Sequence, residues 1–238
     1  MPLVRIDRAA YLRSALSRHC TDAQISLAIE ESPAAAGIAT DVLSWAADAA
    51  IANETTKVTA ISAAAGLPGG LALIGTVPAD AAQYLAHMLR IAQKLAYLYS
   101  WPDLFRVDED SDEPDDETQN VLTLFVGVMF GVQAANRGVT LLAAKIAEQV
   151  AKKLPQQALT KTFLYPIVKR VALALGAKMT KDIFAKGVAK FIPIVGAALN
   201  GGLTLATFLP MAKRLERHLA SLELTKRQEA PVEHKAKN

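Results

Sequence analysis

The sequence predicts an all-α protein built as a multi-helix bundle, and three observations support this. Of its 238 residues, 52% are hydrophobic but only 6% are aromatic, and long runs of Ala supply much of the apolar content. Ala has the highest intrinsic helix propensity. Amphipathic patterns with the helical period recur along the chain, and no convincing alternating strand pattern is present. The apolar fraction excludes a disordered chain, and the single cysteine, Cys20, excludes a disulfide scaffold.

Capping signals and periodicity place the helices in order along the chain. Thr21 and Gln24 have the spacing of a capping box, which opens a short helix that stops before Pro33. An Ala-rich helix containing Trp45 is expected over residues 34–52. Further helices are expected over residues 79–99, 119–135, 138–154, 164–176 and 180–191.

The helix predicted over residues 79–99 is the most clearly amphipathic. Polar side chains recur there at spacings of four, three and four residues and therefore share one face: Gln83, His87, Arg90 and Lys94. Pro78 is expected in the first turn of this helix. Tyr97, Tyr99 and Trp101, near its end, fit either core packing or anchors at a membrane interface.

The small net charge of +3 hides a strong segregation of charge. Residues 103–117 contain nine acids against Arg106, a net charge of −8, and are expected to form a solvated acidic loop. Residues 137–190 contain eleven bases against Glu148 and Asp182, a net charge of +9. A basic helical face fits either a solvated surface or contact with an anionic membrane. The candidate contacts are Lys145, Lys152, Lys153, Lys169 and Arg170.

Three runs without a charged residue lie at 58–79, 118–136 and 191–212. The middle run contains Gly127-x-x-x-Gly131, a close-packing signal, and fits a buried core helix. The other two runs are interrupted by glycine and proline, which favours helical hairpins over straight membrane spans. These breaks are at Gly66, Pro68, Gly69, Gly70, Gly75 and Pro78 in the first run, and at Pro193, Gly196, Asn200, Gly201, Gly202 and Pro210 in the third.

The first and third uncharged runs resemble each other at an offset of 132 residues. Six of twelve positions are identical between residues 67–78 and residues 199–210. An internal duplication would predict two central Gly-rich apolar hairpins, which are candidate structural or ligand-binding elements. Chance similarity in a chain rich in glycine and leucine is the alternative.

No motif for catalysis, metal binding or cofactor binding is present in the sequence. The four histidines lack the spacing of metal ligands, and the glycine loops that bind phosphates or dinucleotides are absent. We therefore expect no metal and no cofactor. No nucleic-acid-binding motif accompanies the basic segment, so a nucleic-acid partner is not expected. Asp80, His87 and Arg90 form the candidate polar site of an enzyme, although His87 also fits an ordinary surface histidine.

Two blocks of the sequence resemble the EcsC family. One comprises Ala65-Gly-Leu-Pro-Gly-Gly-Leu71, Pro78-Ala-Asp80 and Arg90-Ile-Ala-Gln-Lys-Leu-Ala-Tyr-Leu-Tyr99, and the other is Lys190-Phe-Ile-Pro-Ile-Val-Gly-Ala-Ala-Leu-Asn-Gly-Gly202. The resemblance covers residues 30–220, and Ser100 stands where members commonly have glycine. It implies a bacterial, mostly helical protein, sometimes encoded near an ABC transporter, and it supplies no catalytic residues.

These observations predict a non-enzymatic, EcsC-like protein that associates with the cytoplasmic membrane face, with lipids or a membrane protein as partners. The start of the chain lacks a secretory signal, so we expect a cytoplasmic location, peripheral to or partly inserted in the inner membrane. The alternatives are a soluble helical bundle that binds an apolar ligand between its hairpins, and a hydrolase of unknown substrate. One domain is expected over residues 1–224, with a charged flexible tail over residues 225–238.

Overall fold

The computed structural model describes residues 5–65, 73–105, 116–152, 164–178 and 202–226. Within these ranges the regular structure is helical throughout, which confirms the predicted all-α fold. The helices are α1 Arg8–Leu16, α2 Asp22–Glu30, α3 Thr40–Ala65, α4 Leu73–Leu98, α5 Asp116–Met129, α6 Gln133–Ala151, α7 Tyr165–Lys178 and α8 Gly202–Ala220, followed by a 3₁₀ helix at Glu223–Thr225.

The described helices form two packed groups that share α5 as their link. In one group the long helices α3 and α4 lie against each other, and α8 packs on both. In the other group α5, α6 and α7 pack mutually, while α5 also contacts α4 and α8. The short helices α1 and α2 pair with each other, and α1 contacts α3 and α4. This arrangement buries the second half of α4 between several neighbours.

Local sequence signals explain the starts of the first two helices. Thr21 Oγ1 accepts a hydrogen bond from the Gln24 backbone N–H at 3.3 Å, and Gln24 Oε1 accepts one from the Thr21 N–H at 3.0 Å. The predicted capping box is therefore confirmed. Asp7 caps α1 in a similar way, because its Oδ1 accepts from the Ala10 N–H at 2.7 Å.

The predicted starts of α3 and α4 were wrong. Residues 33–37 form a turn in which the Ile38 N–H bonds the Pro33 carbonyl, so α3 begins only at Thr40 and then extends into the first uncharged run. Helix α4 begins at Leu73, which places Pro78 beyond its first turn. Pro210 likewise lies inside α8. A proline removes one N–H donor from a helix, and surrounding packing can hold the helix together across that loss.

The second half of α4 forms the centre of the core. Every residue from Ile91 to Trp101 is buried, including Tyr97, Tyr99 and Trp101. The aromatic cluster is therefore a packing element, and its interpretation as a set of membrane anchors is wrong. Trp101 meets Phe125 of α5 edge to face, with ring centroids 4.9 Å apart. Such pairs add about 0.5–1.5 kcal/mol to the burial of their apolar surface.

Two helix ends turn through the left-handed region of backbone space. Ser100 has φ 69° after α4, and the Trp101 N–H donates to the Ala96 carbonyl at 3.0 Å, as in a Schellman motif. Gly131 has φ 72° after α5 and makes the same type of turn. Ser100 thus occupies a conformation that favours glycine. Its Oγ accepts a hydrogen bond from the buried Ala34 N–H at 3.0 Å, which holds the loop before α3 on the end of α4.

Glycines allow α5, α6 and α7 to approach closely. A Cβ atom on Gly127 would lie 2.6 Å from both Ala135 Cβ and Val171 Cγ1. The close-packing prediction is therefore confirmed for Gly127, whereas Gly131 serves the turn after α5. The apolar side chains of α5 are buried, so the part of the middle uncharged run that lies in α5 is a core helix, as predicted. The single helix predicted over residues 119–135 is wrong, because the chain turns at Gly131 and α6 begins at Gln133.

The Gly-rich hairpins and the internal repeat stay predictions. The following break residues lie outside the described ranges: Gly66, Pro68, Gly69, Gly70, Pro193, Gly196, Asn200 and Gly201. Of the others, Gly75 and Pro78 belong to α4, while Gly202 is the first residue of α8, which also contains Pro210. Helices α4 and α8 touch through Tyr84 and Phe208, whose ring centroids are 5.7 Å apart. None of the helices in the described part of the chain has the length and apolarity needed to cross a membrane.

Candidate functional site

A buried carboxylate surrounded by basic side chains lies between α3 and α4. We call it the Glu54 cluster, and its members are Glu54, Lys57, His87, Arg90 and Lys94. Glu54 Oε1 lies 2.6 Å from Lys94 Nζ and 3.7 Å from Lys57 Nζ. Glu54 Oε2 lies 2.7 Å from His87 Nδ1 and 3.9 Å from Arg90 Nε. Three basic side chains spread over two helical turns of α4 therefore surround one carboxylate of α3.

Helical periodicity explains why these residues meet. Glu54 stands three residues after Ile51 and four before Val58, so it occupies a position of the buried apolar stripe of α3. His87 and Lys94, seven residues apart, lie on one face of α4. The interpretation of His87 as an ordinary surface histidine is wrong, because that face of α4 is covered at His87. Helix α3 covers it, leaving the His87 side chain 13% exposed and the Lys94 side chain 9% exposed.

The basic neighbours keep Glu54 ionised. Burial by itself would raise the pKa of this carboxyl group. Hydrogen bonds from His87 and Lys94, together with the charges of Lys94 and Lys57, outweigh burial and lower the pKa from 4.5 to about 2. Glu54 therefore carries a negative charge at neutral pH, and it is the negative partner of Lys57 and Lys94.

Tyr11 of α1 completes the cluster from a third helix. Its ring lies 5.7 Å from Lys94 Nζ, within the range of a cation–π contact. Burial, and secondarily the charge of Glu54, raise the pKa of Tyr11. The Tyr11 hydroxyl is buried and has no hydrogen-bond partner within the described part of the chain. A buried hydroxyl without a partner costs about 1–3 kcal/mol, so this atom has an unmet capacity to bind.

The structure brings together part of the polar site predicted from the sequence. His87 and Arg90 meet at Glu54, whereas the side chain of Asp80, two turns earlier on α4, lies outside what the structure describes. Glu54 and Lys57 were missed by sequence reasoning. The available signal was a single acid within an apolar stripe of one long helix, opposite a basic stripe of the next.

A second ionic group joins α3 to α8. Lys213 of α8 forms ion pairs with Asp48 of α3 and with Glu216, the latter at 2.8 Å. The buried hydroxyl of Tyr99 donates to Glu216 Oε1 at 3.4 Å. Arg214 reaches the Met129 carbonyl at the end of α5. These contacts link elements on both sides of α8, so we assign them a structural role.

The predicted contacts to an anionic surface separate into two groups. Lys145 on α6 and Lys152, the residue that follows this helix, both bind Glu148, at 2.9 and 2.8 Å, so one carboxylate offsets part of their charge. Hydrogen bonds from Lys152 and Lys145 lower the pKa of Glu148 to about 2. Lys169 and Arg170 are exposed on α7. The fifth candidate is Lys153, which lies outside the described residues.

The outer face of α7 combines cations with exposed apolar side chains. Tyr165 is 56% exposed and Leu173 is 66% exposed. Lys169 stands four residues from each of them, so the three side chains follow one stripe of the helix, with Arg170 beside them. We call these four residues the α7 outer face. The opposite side of α7 is buried against α5 and α6 through Val168, Val171 and Leu175.

The described residues hold no group of three or more His, Cys, Asp or Glu side chains that could bind a metal ion. No family model matches the chain, and no curated protein or solved structure matches it either. The resemblance to the EcsC family therefore stays a prediction.

Proposed function

We propose that this protein associates peripherally with an anionic membrane surface through the α7 outer face. The observation that carries the proposal is the exposure of Tyr165 and Leu173 by more than half, beside Lys169 and Arg170. Helices that lie at a membrane interface combine apolar and aromatic side chains with Lys and Arg in this way. Tyr is also suited to the headgroup zone, because its ring is apolar and its hydroxyl is polar.

The free energies that these four side chains can contribute favour reversible binding to the membrane. Full burial of a leucine-sized side chain contributes about 1.5–3 kcal/mol. Each basic residue close to an anionic surface adds about 1 kcal/mol. Two apolar and two basic side chains together reach the range of weak, salt-sensitive membrane contact. Lys145 and Lys152 contribute less in this proposal, because Glu148 already binds both ammonium groups.

The resemblance to the EcsC family extends the proposal to a biological setting. It supports a non-enzymatic, cytoplasmic protein that is accessory to a membrane transport system. In that setting the α7 outer face holds the protein on the lipid, and a membrane protein is the expected partner.

Vesicle co-sedimentation of the full chain tests the lipid contact. We expect binding to vesicles that contain phosphatidylglycerol and much weaker binding to vesicles of phosphatidylcholine alone. The paired change Tyr165→Ser and Leu173→Ser, and the paired change Lys169→Gln and Arg170→Gln, should each weaken binding by about tenfold or more. Added salt should weaken wild-type binding.

Two controls isolate the α7 outer face. Trp45→Ser removes another exposed aromatic side chain, on α3, and the paired change Lys145→Gln and Lys152→Gln removes two cations that share Glu148. Both controls should bind nearly as the wild type does. The proposal fails if the wild type does not bind anionic vesicles at low salt, or if the controls lose as much binding as the α7 variants.

A further inference from the structure

The Glu54 cluster contains more positive charge than its carboxylate balances. Lys57 and Lys94 both approach the same oxygen, Glu54 Oε1, at 3.7 and 2.6 Å. Among the described residues, these two ammonium groups against one carboxylate leave a net positive charge. Positive charge that is partly removed from water attracts an anion more strongly than a fully solvated charge does.

The cluster is open on the side that carries the cations. The side chain of Glu54 is fully buried, whereas that of Lys57 is 47% exposed and that of Arg90 is 29% exposed. His87 lies between these extremes, with one ring nitrogen on Glu54. A solute that approaches from solvent would thus meet N–H groups before it meets the carboxylate.

A separate observation concerns a buried polar atom beside the cluster. The Tyr11 hydroxyl is buried without a hydrogen-bond partner among the described residues, and the Tyr11 ring lies 5.7 Å from Lys94 Nζ. Folded proteins rarely leave such atoms unsatisfied without water, an ion or a ligand nearby. The hydroxyl can donate to an oxygen of an anion held by the surrounding cations.

We propose that Lys57, His87 and Arg90 bind the phosphate group of a phosphate monoester, with Tyr11 as an inner hydrogen-bond donor. Phosphate presents several acceptor oxygens, which suit a guanidinium, an ammonium and an imidazole that converge from one side. Glu54 is the positioning residue, since its two oxygens hold His87 and Lys94 in place. This inference rests on residues of α1, α3 and α4 and does not depend on the α7 outer face.

Isothermal titration calorimetry of the full chain tests the proposal with inorganic phosphate and with glycerol 3-phosphate. Lys57→Gln and Arg90→Gln should each weaken binding by about tenfold, the loss expected for a charge-assisted hydrogen bond. The matched control Lys145→Gln removes a lysine that is bound to an exposed carboxylate on α6, and it should leave phosphate binding unchanged. Circular dichroism verifies that each variant is folded.

Vesicles identify the source of the phosphate group. Tighter binding to phosphatidic acid, a monoester, than to phosphatidylglycerol, a diester, would assign the site to a lipid headgroup. Binding of glycerol 3-phosphate without that preference would assign it to a soluble ligand. The α7 outer-face variants should keep their affinity for inorganic phosphate, so failure of the membrane proposal and failure of this one are distinguishable.

Tyr11→Phe supplies a readout that a purely structural cluster would not produce. Removing the unsatisfied hydroxyl should raise the thermal midpoint without phosphate and reduce the additional rise that phosphate causes. The proposal is overturned if neither phosphate, glycerol 3-phosphate nor phosphatidic acid binds. It is also overturned if Lys57→Gln and Arg90→Gln bind phosphate as tightly as the wild type. The same holds if phosphate raises the thermal midpoint of Tyr11→Phe by as much as it raises that of the wild type.

Discussion

At the scale of single residues, burial distinguishes two carboxylates that otherwise look alike. Glu54 and Glu148 each contact two lysines, and the pKa of each is lowered to about 2. Glu54 is inaccessible to solvent, whereas the Glu148 side chain is 43% exposed. Water can replace the partners of Glu148 but not those of Glu54, so their contributions to stability should differ.

Glu54→Gln should destabilise the protein by about 3 kcal/mol, because it leaves the buried Lys94 and His87 without their negative partner. Urea unfolding followed by circular dichroism measures this loss. The matched control is Glu148→Gln, whose unfolding midpoint should stay close to that of the wild type. Equal effects of the two substitutions would show that the Glu54 ion pairs do not stabilise the fold.

The same carboxylate predicts a pH dependence. The pKa of Glu54 is lowered from 4.5 to about 2 on folding, so the folded state prefers its ionised form. Its contribution to stability is fully present above the unfolded pKa and is lost as the pH falls toward 2. The difference in unfolding free energy between wild type and Glu54→Gln should therefore be constant above about pH 5 and shrink below it. A difference that did not change with pH would contradict this assignment.

Ser100 combines a backbone cost with a side-chain gain. A non-glycine residue in the left-handed region costs roughly 1–2 kcal/mol, and Ser100 Oγ satisfies the buried Ala34 N–H. Ser100→Ala should lose the hydrogen bond and keep the backbone cost, whereas Ser100→Gly should lose the bond and recover that cost. Chemical denaturation should therefore rank Ser100→Gly above Ser100→Ala by about 1 kcal/mol. The opposite order would mean that the turn imposes no strain.

At the scale of helices, small residues set the distance between α5, α6 and α7. Gly127 faces Ala135 on α6 and Val171 on α7. A Cβ atom added to Gly127 would lie only 2.6 Å from Ala135 Cβ and 2.6 Å from Val171 Cγ1. The sequence pattern identified this close approach but not the helices that make it. Helix pairing depends on contacts distant in the chain, and one glycine motif does not specify its partner.

Gly127→Ala should destabilise the protein although alanine favours helix. Overpacking costs about 1–3 kcal/mol, against a propensity gain of about 1 kcal/mol. Thermal unfolding should show a midpoint lower by a few degrees, because about 1 kcal/mol shifts a domain of this size by roughly 2–4 °C. Gly138→Ala is the comparison, since an added Cβ atom would lie 2.9 Å from Leu124 Cδ2 and 3.1 Å from Ile167 Cγ2, which is less tight than at Gly127, and it should cost less. An unchanged midpoint for Gly127→Ala would contradict the close packing.

At the scale of the whole molecule, one buried guanidinium ties the N-terminal helices to the core. Arg8 of α1 donates to the Ala28, Ile29 and Glu31 carbonyls at the end of α2. Its Nε also donates to the Trp101 carbonyl beyond α4, at 3.3 Å. Helix C-termini leave carbonyl groups without partners, and Arg8 supplies donors for several of them at once.

Arg8→Met should loosen α1 and α2 while the rest of the fold stays intact. It removes these hydrogen bonds and leaves buried carbonyl groups unsatisfied, at a cost of about 1–3 kcal/mol or more. Hydrogen exchange followed by mass spectrometry should show faster exchange in α1 and α2 and unchanged exchange in α5 and α6. Faster exchange throughout the chain would instead place Arg8 in the global folding unit.

The sequence by itself determined the helical class, the capping box at Thr21, the burial of α5 and the role of Gly127, because these depend on local propensity and periodicity. Only the tertiary structure decided that α3 covers the basic stripe of α4 and that Glu54 lies at its centre. It also placed the aromatic cluster around Trp101 in the core. The physical reason is that periodicity tells which residues share a face of a helix, whereas the neighbour that covers the face depends on packing between distant segments. A polar stripe on a helix can face water or a buried group of opposite charge, and the packing of the other helices determines which of the two it faces.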